Sequence, residues 1–182
     1  MSVIRPLEPD AAPGKSKNLL DAVKASLGMV PNLFRVMAHS PATLEGFLSF
    51  NSALGAGTLD AKLRERIALA VAEENSCGYC LSAHSLLGKG AGLDDSEIGA
   101  ARDGRSADSR SAEALRFALK VVRSRGRADP TDIKRLRDAG FSDGQVVEII
   151  ANVVANIFTN YVNHVAATSI DFPVVEPKRR IA

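Results

Sequence analysis

The last quarter of the sequence constrains the fold most. From about Ser142 to Ser169 the chain reads as one long helix, with apolar residues from Val146 and Val147 through Ile149, Ile150, Val153, Val154, Ile157, Phe158, Tyr161 and Val162 to Val165. A helix at the surface of a monomer needs one apolar stripe, and this segment carries nearly two. It therefore either runs through the centre of the fold or faces a second subunit. Ser142 with Gln145 is a capping pattern for its start. Within the arc, Asn152, Asn156, Asn160 and His164 recur every four residues. Buried amides need partners, so the stripe is read as satisfying neighbouring helix ends, with lining of a pocket as the alternative.

The rest of the chain also reads as helices. Ser16 is a candidate cap for a helix with Leu19, Leu20, Val23 and Leu27, ended by Gly28 and Pro31, and a short helix follows through Leu33, Phe34 and Met37. Ser40 before Pro41 opens a helix that turns Leu44, Phe47 and Leu48 inward and stops near Gly55 and Gly57. A helix from about Leu59 to Asn75 carries Leu63, Ile67, Ala70 and Val71 on its main apolar face. Asp94 with Glu97 caps a short helix to about Arg102, and GRSADSRS is a polar loop. Leu115, Leu119 and Val122 mark another helix, and Asp129 with Pro130 starts one that ends at Gly140. Met29 and Met37, with Phe34 between them, read as fillers of core gaps. The short FPVV near the end is the single hint of a strand.

The 46% hydrophobic fraction draws heavily on alanine, leucine and valine, with no tryptophan, which suits packed helices. At 182 residues one core suffices. The expected architecture is an all-α, single-domain helical bundle, with an extended arm over 1–15, the helical domain over 16–172 and a tail over 173–182. Lys and Arg exceed Asp and Glu by two, 23 against 21, and the Lys178, Arg179, Arg180 cluster reads as a solvated end rather than a nucleic-acid contact. The first residues lack a signal-peptide run, and no segment approaches the ~18 apolar residues of a membrane span. These features point to a soluble, cytoplasmic protein with neither nucleic acid nor membrane as partner.

Cys77 and Cys80 are the two cysteines, in the stretch SCGYCLSAHSL. A reducing compartment disfavours a purely structural disulfide and leaves metal binding and redox exchange. Asn75, Ser76 and Gly78 interrupt helical propensity before it resumes at Leu81, so Cys77 falls near a helix N-terminus, whose N–H groups stabilise a thiolate. His84 follows Cys80 by four residues and Cys77 by seven, placing the three side chains on one face. Glu65, on the preceding helix, sits on an apolar line. It is either a proton-handling group that orients a histidine or a snorkelling side chain paired with Lys62. A zinc site would need a fourth ligand folding in from His39 or His164, and two buried structural cysteines are a third reading.

Glu65, Cys77, Cys80 and His84 together reproduce the Glu-x11-Cys-x2-Cys-x3-His pattern. In this the chain resembles the alkylhydroperoxidase D family, within the peroxidase-related branch of the carboxymuconolactone decarboxylase superfamily. The resemblance extends to GMVPNLFRVMAHSP, RERIALAVAEENSCGYCLSAH and NYVNHVAATSIDFP. It implies an alkylhydroperoxidase D-like helical subunit that assembles through its helices into trimers or hexamers. It also implies an organic hydroperoxide as substrate, a lipoyl-type or thioredoxin-like dithiol as reductant, and no haem, flavin or metal. By position, Cys80 is the peroxide-attacking thiol, Cys77 the resolving one, and Glu65 with His84 the proton relay. Physical reasoning leaves the order of the thiols open, because the helix end favours ionisation of Cys77 whereas His84 favours Cys80. Tyr79 stands where founding members carry a second histidine, and a phenol with pKa near ~10 is no base at neutral pH. Dithiol–disulfide exchange, and a non-enzymatic scaffold for a redox partner, are the alternatives. The lactone decarboxylases share the scaffold without needing the cysteine pair, so fold alone does not decide the chemistry.

Overall fold

Residues 2–178 are described by the computed structural model. Side-chain oxygens set most of the helix starts. Ser40 accepts from Thr43 N to open α3 (Pro41–Gly55), and Asp60 accepts from Leu63 N to open α4 (Ala61–Glu74). Full capping boxes open α6 (Asp95–Arg102), α8 (Pro130–Asp138) and α9 (Asp143–Ala166), satisfying N–H groups that a helix end would otherwise leave bare. The remaining helices are α1 (Gly14–Leu27), α2 (Asn32–Met37), α5 (Gly78–Gly90) and α7 (Ser109–Ser124). No strand occurs among the described residues, and FPVV belongs to an extended C-terminal segment instead.

Ser16 does not cap α1. The helix begins at Gly14 after a 3-10 turn, and the buried Ser16 hydroxyl donates to the Ala38 carbonyl at 2.6 Å, tying α1 to the end of α2. The N-terminal arm lies against the domain: Val3 N–H reaches the Ala166 carbonyl at 2.8 Å, and Arg35 Nε donates to the Leu7 carbonyl at 2.7 Å.

The central element is α4 rather than α9. Its residues from Arg66 to Glu73 are all buried, and it packs against α5, α6, α7 and α9. Ala68, Ala70 and Ala72 allow neighbours to approach from every side, so the periodic stripe that marks a surface helix is blurred here. Of the two buried charges in this stretch, Arg66 bonds Glu97 at 2.6 Å and Ser111 at 3.4 Å, and Glu73 pairs with Arg102 at 2.7 Å. By contrast α9 buries one face, including Ile149 and Val153, and leaves Val147, Val154 and Val165 exposed at 64%, 51% and 72%.

A carboxylate clasp joins the turn before α4 to α9. Glu148 Oε2 accepts the N–H groups of Thr58 and Leu59 at 2.8 and 3.1 Å, while Oε1 accepts the Thr58 hydroxyl at 3.0 Å. Gly57 leaves room for this: a Cβ there would lie 2.7 Å from Glu148 Oε2 and 3.1 Å from the Leu54 carbonyl oxygen.

Gly57→Ala should therefore break the clasp and cost about 1–3 kcal/mol in urea denaturation, the range for losing hydrogen bonds to a charged group. In a Glu148→Ala background the same substitution should cost well under half as much, a coupling that a double-mutant cycle reads directly.

Candidate active site

The site forms where α4 hands over to α5. Ser76 N–H donates to the Glu73 carbonyl at 3.0 Å and Cys77 N–H to that of Ala72 at 2.8 Å. This pair of bonds is a Schellman turn, whose penultimate residue must be left-handed. Ser76 fills that place at φ 56°, where glycine is usual. The strain, of order 1–2 kcal/mol, is held by the structure around it. No residue intervenes before the next helix. Cys77 is the N-cap of α5, and its Sγ accepts the Cys80 N–H at 3.3 Å. The two cysteines have Cα atoms 5.3 Å apart and are joined in a disulfide.

One turn beyond Cys80, His84 Nδ1 is 2.8 Å from Glu65 Oε2, with side chains 22% and 19% exposed. Glu65 is thus bonded to His84 rather than extended toward Lys62. The carboxylate fixes one ring nitrogen and leaves Nε2 for other work.

The hydrogen bond to Cys80 Sγ comes from a residue that the sequence reading does not single out. Asn163 Nδ2 on α9 donates to it at 3.3 Å. Three residues earlier, Asn160 Oδ1 accepts from Asn75 Nδ2 at 2.8 Å, so α9 grips the junction on both sides. His164, assigned to the stripe by its spacing of four, is exposed. Three steps of four residues overshoot whole turns by about 120°, whereas the eleven residues from Asn152 to Asn163 overshoot by only about 20°. The signal was therefore present in the sequence at a period of 3.6 rather than 4. Asn152 and Asn156 satisfy backbone carbonyls of their own helix, those of Glu148 and Asn152, each at 2.8 Å.

A cavity of about 360 Å³ opens onto Cys80, and Glu65 and His84 lie in its wall; Cys77 does not. Leu33, Phe34, Phe47, Leu54 and Phe172 make much of the lining apolar, while Asn51, Arg64, Asn152, Asn156 and Thr159 supply polar groups. Met37 is buried core, as its spacing suggests, but Met29 is 38% exposed and lines this cavity together with Phe34. Cys77 lies on the far side, 1% exposed, at the start of a helix covered by the C-terminal segment. There Val175 N–H donates to Ser82 Oγ at 2.9 Å, and Lys178 N–H donates to the buried Glu73 at 2.6 Å. Lys178 also pairs with Asp103 at 2.7 Å; Arg179 and Arg180 of the basic cluster lie outside the described residues. His39, considered as a fourth zinc ligand, instead contacts the Arg5 carbonyl at 2.9 Å.

Tyr79 is a strut. Its hydroxyl accepts the Leu33 N–H at 3.1 Å and its ring meets Phe172 edge-on at 5.6 Å, fastening α2 and the C-terminal segment to α5. Burial pushes the phenol well above its ordinary value, with the Asp171 carboxylate adding to the shift and the Leu33 N–H opposing it.

Residues 41–124 match the carboxymuconolactone decarboxylase family. No curated protein matches the sequence. Among solved structures, the chain is similar to an uncharacterized peroxidase-related protein with an alkylhydroperoxidase AhpD core from Ralstonia eutropha. The two share 25% identity at a TM-score of 0.85, over 93% of this chain and 92% of that one. An uncharacterized peroxidase-related protein from Silicibacter sp. shares 26% identity at a TM-score of 0.79, covering 92% of each chain. The debrominase Bmp8, solved with 2,3,4-tribromopyrrole, has the same fold at 21% identity and a TM-score of 0.74, over 94% of this chain and 92% of that one.

Because the folded state resists ionising Tyr79, the stability this group contributes is fully present below the unfolded phenol's pKa of ~10 and is lost as pH rises above it. Urea denaturation between pH 7 and 11 should show that loss in the wild type and a shallower one in Tyr79→Phe. At pH 7 that variant should be less stable by about 1 kcal/mol, for the Leu33 N–H left unpaired.

Proposed function

We propose that the chain is an alkylhydroperoxidase D-like member of the carboxymuconolactone decarboxylase superfamily and that it reduces organic hydroperoxides through Cys77 and Cys80, with Glu65 and His84 as the proton relay. The observation that carries this reading is the shared cavity: Cys80 and the His84–Glu65 pair line one cleft, and Cys77 stands behind. In the reduced protein the Cys80 thiolate attacks the terminal peroxide oxygen. The O–O bond breaks, and the departing alkoxide takes a proton from His84 Nε2 and leaves as the alcohol. Cys80 is now a sulfenic acid. The Cys77 sulfur attacks the Cys80 sulfur, an S–S bond forms, and the hydroxyl leaves as water with the proton that Cys77 gives up. Two electrons have passed from the thiol pair to one peroxide. A lipoyl-type or thioredoxin-like dithiol of the cytoplasm returns them by exchange at the disulfide. The electrons and protons of this cycle come from sulfur, carboxylate and imidazole, so it needs no haem, flavin or metal. The apolar lining favours a hydroperoxide with a hydrocarbon body over hydrogen peroxide.

The exposed seam on α9 supports self-association. Val147, Ile150, Val154, Phe158, Tyr161 and Val165 follow one another at three- and four-residue steps and are all exposed. Such a row on one helix is the pattern of a helix–helix interface. Phe158 also meets Phe47 in the cavity wall at 5.7 Å. The proposed assembly is a trimer or hexamer of this chain, with these faces buried against other copies.

Stopped-flow reaction of the reduced protein with cumene hydroperoxide should consume two thiols per chain. Cys77→Ser should stop at a trappable sulfenic acid and Cys80→Ser should not react, while Glu65→Gln should slow the first step by about 10²–10⁴-fold, the usual range for general acid–base assistance. Sulfenic acid trapped in Cys80→Ser instead would reverse the two roles. Rapid disulfide exchange with a dithiol but no reaction with peroxide would make the chain a disulfide reductase. In sedimentation velocity, Val154→Asp should lower the mass of the assembly; an unchanged mass, or a monomeric wild type, would refute the α9 interface.

A further inference from the structure

We propose that Asn163 is a positioning residue for Cys80: its side-chain amide holds the sulfur at the cavity wall and stabilises the thiolate. The two sulfurs receive different donors. Cys77 Sγ takes the backbone N–H of Cys80 at the helix start, at 3.3 Å, whereas Cys80 Sγ takes Asn163 Nδ2 from a different helix, also at 3.3 Å. His84 Nδ1 is engaged by Glu65, and the side-chain donor within hydrogen-bond distance of Cys80 Sγ is Asn163. Cys80 is buried, and burial alone raises a thiol's pKa, so a dedicated donor is what the site requires if this sulfur is to ionise.

The geometry around Asn163 fits such a role. The residue is buried, and its Oδ1 has no hydrogen-bond partner among the described residues. A buried carbonyl oxygen left unpaired costs free energy that an apolar residue of similar size would avoid. Oδ1 is available to accept the S–H of a protonated Cys80, as Nδ2 is available to its thiolate. The charge-assisted bond is about twice as strong as the neutral one, so the balance falls toward the thiolate. Asn160, one turn away, fixes Asn75 at the end of α4, so the backbone that carries Cys77 is anchored to the same stretch of α9.

The ionisable groups that line the cavity with Cys80 are Tyr79 and His84 from α5 and Arg64 and Glu65 from α4; Cys77 is bonded to Cys80 from behind, and Asp171 of the C-terminal segment stands beside Tyr79. The parts of α2, α3, α9 and the C-terminal segment that line the cavity contribute no charge to its wall. Substitution at Asn163 therefore isolates its own effect on the sulfur.

The assignment gains its purpose from the reading of Cys80 as the attacking thiol, but its test does not depend on peroxide. In reduced Cys77→Ser protein, which keeps a hydroxyl cap on α5, Cys80 is titrated by thiolate absorbance at 240 nm and by iodoacetamide alkylation rates. Its midpoint should lie below the ordinary ~8.5. Adding Asn163→Leu should raise the midpoint by about one unit, read as about ten-fold slower alkylation at pH 7, and the nearly isosteric Asn163→Asp should raise it further. Far-UV circular dichroism confirms that each variant is folded, and the aspartate variant serves alone if the leucine one is not. A midpoint at or above ~8.5 with Asn163 present, or no upward shift in a folded variant, overturns the assignment. Upward shifts together with indifference to hydroperoxide would uphold Asn163 and reject the peroxidase reading.

Discussion

The junction between α4 and α5 depends on one residue doing two jobs. The Cys77 N–H closes α4 on the Ala72 carbonyl, and the Cys77 sulfur opens α5 by accepting from Cys80. Two helices thus share a single point of attachment, with Ser76 held left-handed between them. Since α4 is buried from Arg66 to Glu73 and bound by four neighbouring helices, that point is fixed by the core and not by a surface loop. The sulfur pair inherits this rigidity. The proposed opening and closing of the pair would be served by a frame whose own backbone does not move.

Three helices then contribute to one place. From α4 comes Glu65, which turns the His84 ring; from α5 come the sulfurs and the ring itself; from α9 comes the amide on Cys80. Each contribution is held by something outside the site. Glu148 ties α9 to the turn that begins α4, and the buried Glu73 takes the Arg102 guanidinium at 2.7 Å while binding the C-terminal segment that covers the start of α5. Tyr79 is part of this bracing. Its hydroxyl is engaged with backbone and its ring with Phe172.

Much of this was legible in the sequence. The caps at Ser40, Asp94, Asp129 and Ser142 were readable because an oxygen before a helix acts locally, and the structure forms each of them. A carboxylate on an apolar line signals that Glu65 needs a partner but leaves Lys62 and a histidine both open; the resemblance pointed to His84, and the structure pairs the two. What failed was tertiary. Ser16 has the right residue type for a cap, but its hydroxyl is claimed by the Ala38 carbonyl. FPVV has strand-forming residues without a neighbouring strand to pair with. The central helix was hidden because α4 has no polar side to contrast with an apolar one, whereas the greasier α9 lies at the edge. Asn163 was passed over because counting by fours drifts off a helix face within three steps.

The small residues of α4 carry a further implication. Ala72 is fully buried, and its carbonyl is the one that anchors Cys77. A larger side chain there would press on packed neighbours, and such overfilling forces both off-rotamer side chains and backbone shifts. Any tilt of that peptide would move the cysteine hinged to it. Genetic drift at an inert methyl group in the interior would therefore surface as a displaced sulfur pair on the neighbouring helix.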